Sequence, residues 1–126
     1  MLSVETLTDE FYKKVDQLRP DELDALPQGA IQLDERGTII KFNAYEGKLS
    51  GLTPRPVIGK NFFTEVAPCT DVVEFRGRYE AGVKAKKLHE KFRYHFAFRK
   101  MPPRNVLVAL FYSDRSQSIW VMVQPQ

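Results

Sequence analysis

From Phe92 to Arg99 the chain alternates without a break. Phe92, Tyr94, Phe96 and Phe98 fall on one register, and Arg93, His95, Ala97 and Arg99 on the other. A period of two places successive side chains on opposite faces of a strand, so this stretch predicts a strand with an aromatic face and a polar face. Pro102-Pro103 breaks it, and Val106 to Tyr112 and Ser118 to Val123 read as two further strands. Near the start, Ala30-Ile31-Gln32-Leu33 and Thr38-Ile39-Ile40-Lys41-Phe42 form a strand pair around the turn Asp34-Glu35-Arg36-Gly37. Between the two groups, Asn43 to Pro56 reads as loop and short helices. Phe75, Tyr79 and Val83 keep helical spacing, which predicts a longer helix over 73–87. Two strands, a helical middle and three strands make an α+β chain built on one five-stranded antiparallel sheet flanked by helices.

Ahead of the first strand, Leu7, Phe11, Val15 and Leu18 recur at helical spacing behind the capping residues Thr8 and Asp9. Pro20 reads as the first-turn residue of a second short helix, with Asp21 and Glu22 at its positive end and Pro27 as its stop. Helices this short must dock on the rest of the chain, and a docked cap is a natural candidate for reversible opening. The expected division is a helical cap over 1–27 and a core over 28–126, within one domain.

Charge follows the same division. Residues 1–34 carry three basic and eight acidic groups, a net of −5, so the remainder carries +8 of the overall +3. An acidic cap resting on a basic body is the economical reading. The basic stretch Lys84, Lys86, Lys87, Lys91, Arg93, Arg99, Lys100 and Arg104 reads as a solvated face, and no nucleic-acid partner is expected. No apolar run reaches the roughly 20 residues of a membrane helix, and Met1 to Glu10 holds no signal-peptide apolar core. A cytoplasmic protein is expected, with no membrane partner. The single cysteine, Cys69, excludes an internal disulfide framework.

Residue chemistry alone leaves the site open. Cys69 is either an inert core residue or the nucleophile that its thiolate form would supply. Glu46, between Tyr45 and Gly47, reads first as an exposed loop carboxylate. Phe62, Phe63, Phe96 and Phe98 read first as core. His89 and His95 stand in no recognisable motif, and His95 falls on the polar face of its strand. No metal, phosphate-loop or triad pattern is present.

Longer segments narrow the choice. Gly29-Ala30-Ile31-Gln32-Leu33-Asp34, Asn43-Ala44, Glu46-Gly47, Gly51, Val57-Ile58-Gly59-Lys60-Asn61-Phe62-Phe63 and Val66-Ala67-Pro68-Cys69-Thr70-Asp71 together resemble the photoactive yellow protein family, over essentially the whole chain. The resemblance implies a PAS-type fold and a blue-light photoreceptor, not an enzyme. It implies p-coumaric acid joined to Cys69 as a thioester, its phenolate buried beside a protonated Glu46. Light isomerises the chromophore, the proton of Glu46 moves to it, and the N-terminal cap loosens. Phe62 and Phe96 become expected walls of the chromophore site, with Phe42, Ser50, Leu52, Val66, Thr70, Phe98 and Met101 as further contacts. A downstream signalling protein is the expected partner, and the chain itself is expected to be a monomer or weak dimer.

Departures from the family pattern carry their own expectations. Position 42, usually tyrosine, is Phe42 and offers no hydroxyl; Ser50, usually threonine, keeps one and is expected to serve as the second donor. Losing a hydrogen bond to a charged group costs about 1.5–3 kcal/mol, roughly one to two pKa units, so part of the chromophore is expected to be protonated in the dark. Position 52, usually arginine, is Leu52, an apolar lid. The family methionine at position 100 is Lys100, with Met101 beside it, and dark recovery is expected to be slowed. The alternative reading is a PAS-type sensor or interaction module that binds another small ligand or partner without photochemistry. A third reading, a thiol enzyme with Cys69 as nucleophile and His89 or His95 as base, lacks any supporting motif.

Overall fold

Side chains that alternate along the strands close into two cores, one on each face of a single sheet. A computed structural model describes Val4 and residues 7–52, 54–98 and 100–126. The strands β1 (Gly29–Leu33), β2 (Ile39–Phe42), β3 (His89–Phe96), β4 (Arg104–Ser113) and β5 (Ser118–Pro125) pair antiparallel in the order β2-β1-β5-β4-β3. The helices are α1 (Asp9–Val15), α2 (Pro20–Asp24), α3 (Ala44–Ser50), α4 (Pro54–Val57) and α5 (Arg78–Ala85). Between α4 and α5 lie π-helical turns at Phe62–Val66 and Val73–Gly77 and a 3-10 turn at Pro68–Thr70.

Along β4, Val106, Val108 and Leu110 join Ile119, Val121 and Val123 of β5 under the helical middle of the chain. The intervening Leu107, Ala109 and Phe111 join Trp120 and Met122 on the opposite face, under Leu7, Tyr12, Val15 and Leu23 of the cap. Six consecutive residues of β5 are buried because both faces are covered. Thr8 caps α1, its side-chain oxygen accepting from Phe11 N at 3.3 Å, and Pro20 opens α2. Helices of seven and five residues are marginal by themselves, so their order derives from this docking.

Several boundaries differ from the sequence reading, three of them with a plain physical reason. The aromatic strand stops at Phe96, which pairs with Arg104, because Pro102 and Pro103 supply no ladder donors beyond it. Phe98 leaves the strand yet stacks on Phe96, ring centroids 4.7 Å apart; Arg99 lies outside the described residues, as do residues 1–3, 5 and 6 of the expected cap. The helix expected over 73–87 begins as a π-helical turn and ends at Ala85, where Lys86 turns left-handed at φ 54°. Pro27 is not the direct stop of α2, which already ends at Asp24 with Ala25 as its C-cap.

Candidate functional site

Asn43 sets the geometry of the site. It is fully buried, caps α3, and uses its whole hydrogen-bonding capacity. Its Oδ1 accepts from Glu46 N at 3.0 Å and from Ala30 N of β1 at 2.9 Å. Its Nδ2 donates to the carbonyls of Leu23 at 2.9 Å and Gln28 at 3.0 Å. Helix α3 is thereby pinned both to the sheet and to the cap.

The third residue of that helix is Glu46, 2% exposed. Its Oε1 is buried without a hydrogen-bond partner among the described residues. Burial alone raises its pKa from 4.5 to about 8, because a low-dielectric surrounding disfavours the charged form. A carboxyl group there is held as the neutral acid at neutral pH. The reading of Glu46 as an exposed loop residue therefore gives way to the buried one.

Glu46 faces a narrow cleft, which Phe42, Ser50, Leu52, Phe62, Val66, Phe96 and Phe98 also line. All seven stand among the residues expected from sequence. Ala67 and Ala97 also line it; sequence reasoning passed over them because small residues give no periodic signal. Among the described residues, Glu46 and Ser50 supply the only polar side chains of the wall. The Ser50 hydroxyl donates to the Glu46 carbonyl at 2.7 Å and accepts from Leu52 N at 3.3 Å. Its one proton is thus shared with the helix backbone.

The second half of the wall is built by an unusual turn. Asn61 caps Phe62–Val66, its Oδ1 accepting from Phe63 N at 2.9 Å and Thr64 N at 3.0 Å, while Glu65 Oε2 accepts from Asn61 N at 2.7 Å. Ala67 N then bonds Phe62 O at 2.7 Å, five residues back, which turns Phe62 and Val66 inward. Pro68 opens the 3-10 turn that carries Cys69.

Cys69 is a half-buried free thiol adjoining this wall. Burial raises its pKa, while a hydrogen bond from the Ala97 backbone works in the opposite sense; the net rise keeps it a thiol at neutral pH, so acylation calls for an activated donor. Tyr94, absent from the expected set, donates its hydroxyl to the Cys69 carbonyl. Three expected residues do not line the cleft: Cys69 itself, Thr70 and Met101. Thr70 is buried with its hydroxyl bonded to Ala67 O at 2.6 Å, which fixes the turn. Met101 is 42% exposed and lies with Lys100 against Gly51, at the end of α3. His95 is exposed and bonded to Asn105, and His89 pairs with Asp9 of the cap at 2.7 Å; neither is a partner of Cys69. Among the described residues no group of three or more His, Cys, Asp or Glu is placed to hold a metal, and no helix is long and apolar enough to cross a membrane.

The PAS fold family profile matches residues 18–125. Over 103 residues, 82% of each chain, the sequence is 47% identical to photoactive yellow protein of Rhodothalassium salexigens. It is 38% identical over 117 residues, 93% of each chain, to photoactive yellow protein of Halochromatium salexigens. Its structure superposes with a TM-score of 0.83 and 41% identity on the photoactive yellow protein domain of the sensor histidine kinase Ppr from Rhodospirillum centenum, covering 88% of this chain and 96% of that one.

Proposed function

The chain belongs to the photoactive yellow protein family of blue-light photoreceptors, and on that premise we propose that its chromophore is p-coumaric acid, held by Cys69 as a thioester. The observation that carries this reading is Glu46: a neutral, buried carboxyl, its Oε1 without a partner among the described residues, on the wall of a cleft whose apolar residues belong to the core that Cys69 packs against. An orphaned acid of that kind fits a phenolic oxygen as its missing partner. When bound, the group supplies light absorption, a double bond that light isomerises, and a phenolic oxygen able to accept a proton.

The protein's own residues do the rest. Cys69 anchors the group, with its carbonyl held by Tyr94. Phe62, Phe96, Phe98 and Leu52 keep water out of the cleft. Glu46 holds one proton at its carboxyl, and Ser50, once its hydroxyl gives up the bond to the Glu46 backbone carbonyl, becomes the second donor in place of the missing Tyr hydroxyl at Phe42. Once Glu46 gives up its proton, a buried carboxylate is left unpaired, which costs several kcal/mol, against a total stability of about 5–15 kcal/mol for a small domain. Asn43 joins Glu46 to the carbonyls of Leu23 and Gln28, so the strain reaches the cap directly. Residues 1–27 then loosen from the core of 28–126 and signal to a downstream protein; the relative from Ppr is itself a domain of a sensor histidine kinase. Nothing in this cycle turns over a substrate. We place the receptor in the cytoplasm, which suits a lone free thiol.

Incubating the purified chain with an activated p-coumaroyl thioester and mapping the adduct by mass spectrometry tests the assignment. One acyl group on the peptide carrying Cys69, and none on a Cys69→Ala protein, is expected. Acylation elsewhere, or none, overturns it.

A further inference from the structure

Gly29, the first residue of β1, has no positive φ. Its backbone is ordinary strand, paired with Val123, and any residue could adopt it. What it lacks is room. A Cβ built on Gly29 would stand 2.1 Å from Oε1 of Glu46, 3.1 Å from its Cδ and 3.3 Å from its Cβ. Gly59 shows the opposite case: its φ is 92° and a Cβ there meets nothing within 4 Å.

We infer that Gly29 is a positioning residue for Glu46: its missing side chain is the seat that lets the carboxyl lie buried at the cleft wall. Neither side of the seat can retreat. Ala30 N and Glu46 N share the Asn43 Oδ1, and Asn43 N bonds Ala30 O at 3.0 Å, so β1 and the start of α3 are held at fixed separation. A methyl group on Gly29 can be accommodated only by rotating the Glu46 side chain. The rotated carboxyl leaves a niche that offers Oε1 no donor, and moves toward water or backbone donors that favour its charged form. The importance of this seat for light sensing rests on the reading of Glu46 given above; the seat itself is tested without chromophore.

The experiment is a double-mutant cycle on the full, chromophore-free chain, with Gly29→Ala in the native and Glu46→Ala backgrounds. Alanine in an unstrained strand position is otherwise favoured over glycine. Gly29→Ala is therefore expected to lower the folding equilibrium constant in the native background and to leave it equal or raised beside Glu46→Ala. If Gly29→Ala alone does not fold, the double variant must. Infrared titration of the Glu46 carboxylic-acid band, assigned with Glu46→Gln, is the second readout, and its midpoint is expected to fall by at least one pH unit in Gly29→Ala. Equal destabilisation in both backgrounds, an unfolded double variant, or an unmoved midpoint overturns the inference. Failure of the photoreceptor reading would show separately, as an absent Cys69 adduct with this cycle intact.

Discussion

The carboxylate of Asp16, at the end of α1, accepts the indole N–H of Trp120 at 2.6 Å, across 104 positions of sequence. The same carboxylate accepts from the Ser116 hydroxyl at 2.9 Å and from the Ser113 hydroxyl. One cap side chain thus takes three donors from the β4–β5 hairpin, beside the apolar contacts of Tyr12 and Val15. Trp120 is the only tryptophan, so its emission reports this contact. Asp16→Ala is expected to destabilise the folded chain by about 1.5–3 kcal/mol, the range for hydrogen bonds to a charged group. It is also expected to shift tryptophan emission and speed proteolytic cleavage between α1 and α2. Unchanged emission and cleavage would show that Asp16 does not hold the cap.

Glu46 makes stability depend on pH. Its pKa is about 8 folded and near 4.5 unfolded, so between those values the folded state binds the extra proton. Stability then falls as pH rises through that window, by roughly 5 kcal/mol when ionisation is complete. Denaturant titrations from pH 5 to 9 are expected to show this decline and Glu46→Gln to flatten it. A decline of equal size in Glu46→Gln would assign it to other groups.

Asn43→Ala removes four hydrogen bonds of a fully buried side chain and leaves two backbone N–H groups and two carbonyls short of a partner. A loss of about 3 kcal/mol or more is expected, with faster hydrogen exchange at Ala30 and Glu46. Exchange unchanged at both sites would remove Asn43 from the route between α3 and the cap.

Phe42 lines the cleft without a hydroxyl, 6% exposed. Restoring one in Phe42→Tyr is expected to lower the chromophore's dark pKa by roughly one to two units and to remove any short-wavelength band seen at neutral pH. A pKa equal to that of the unaltered protein would show that Ser50 already meets the need.

Most of the fold was legible because its signals are local. The alternation of Phe92 to Phe96 gave β3, Thr8 gave the start of α1, and Asn61 sits inside a segment that carried the family resemblance. Eight of the eleven residues expected at the site, Phe42, Glu46, Ser50, Leu52, Phe62, Val66, Phe96 and Phe98, share one cleft. What stayed hidden depends on pairs far apart in the chain. Asp16 meets Trp120, Tyr94 meets Cys69, and Gly29 makes room for Glu46 only after the sheet has closed. Cys69, Thr70 and Met101, expected at the site from the family resemblance, lie outside the lining: the Thr70 hydroxyl bonds Ala67 O, and Met101 lies against Gly51.

The most direct test of the account is the visible spectrum of the chain reconstituted with an activated p-coumaroyl thioester, recorded in the dark and after blue light. The account predicts a red-shifted band that bleaches on illumination, recovers in the dark, and is absent in Cys69→Ala. A stable adduct that does not respond to light, or no adduct, would contradict it and leave a PAS-type binding module with Cys69 as a structural residue.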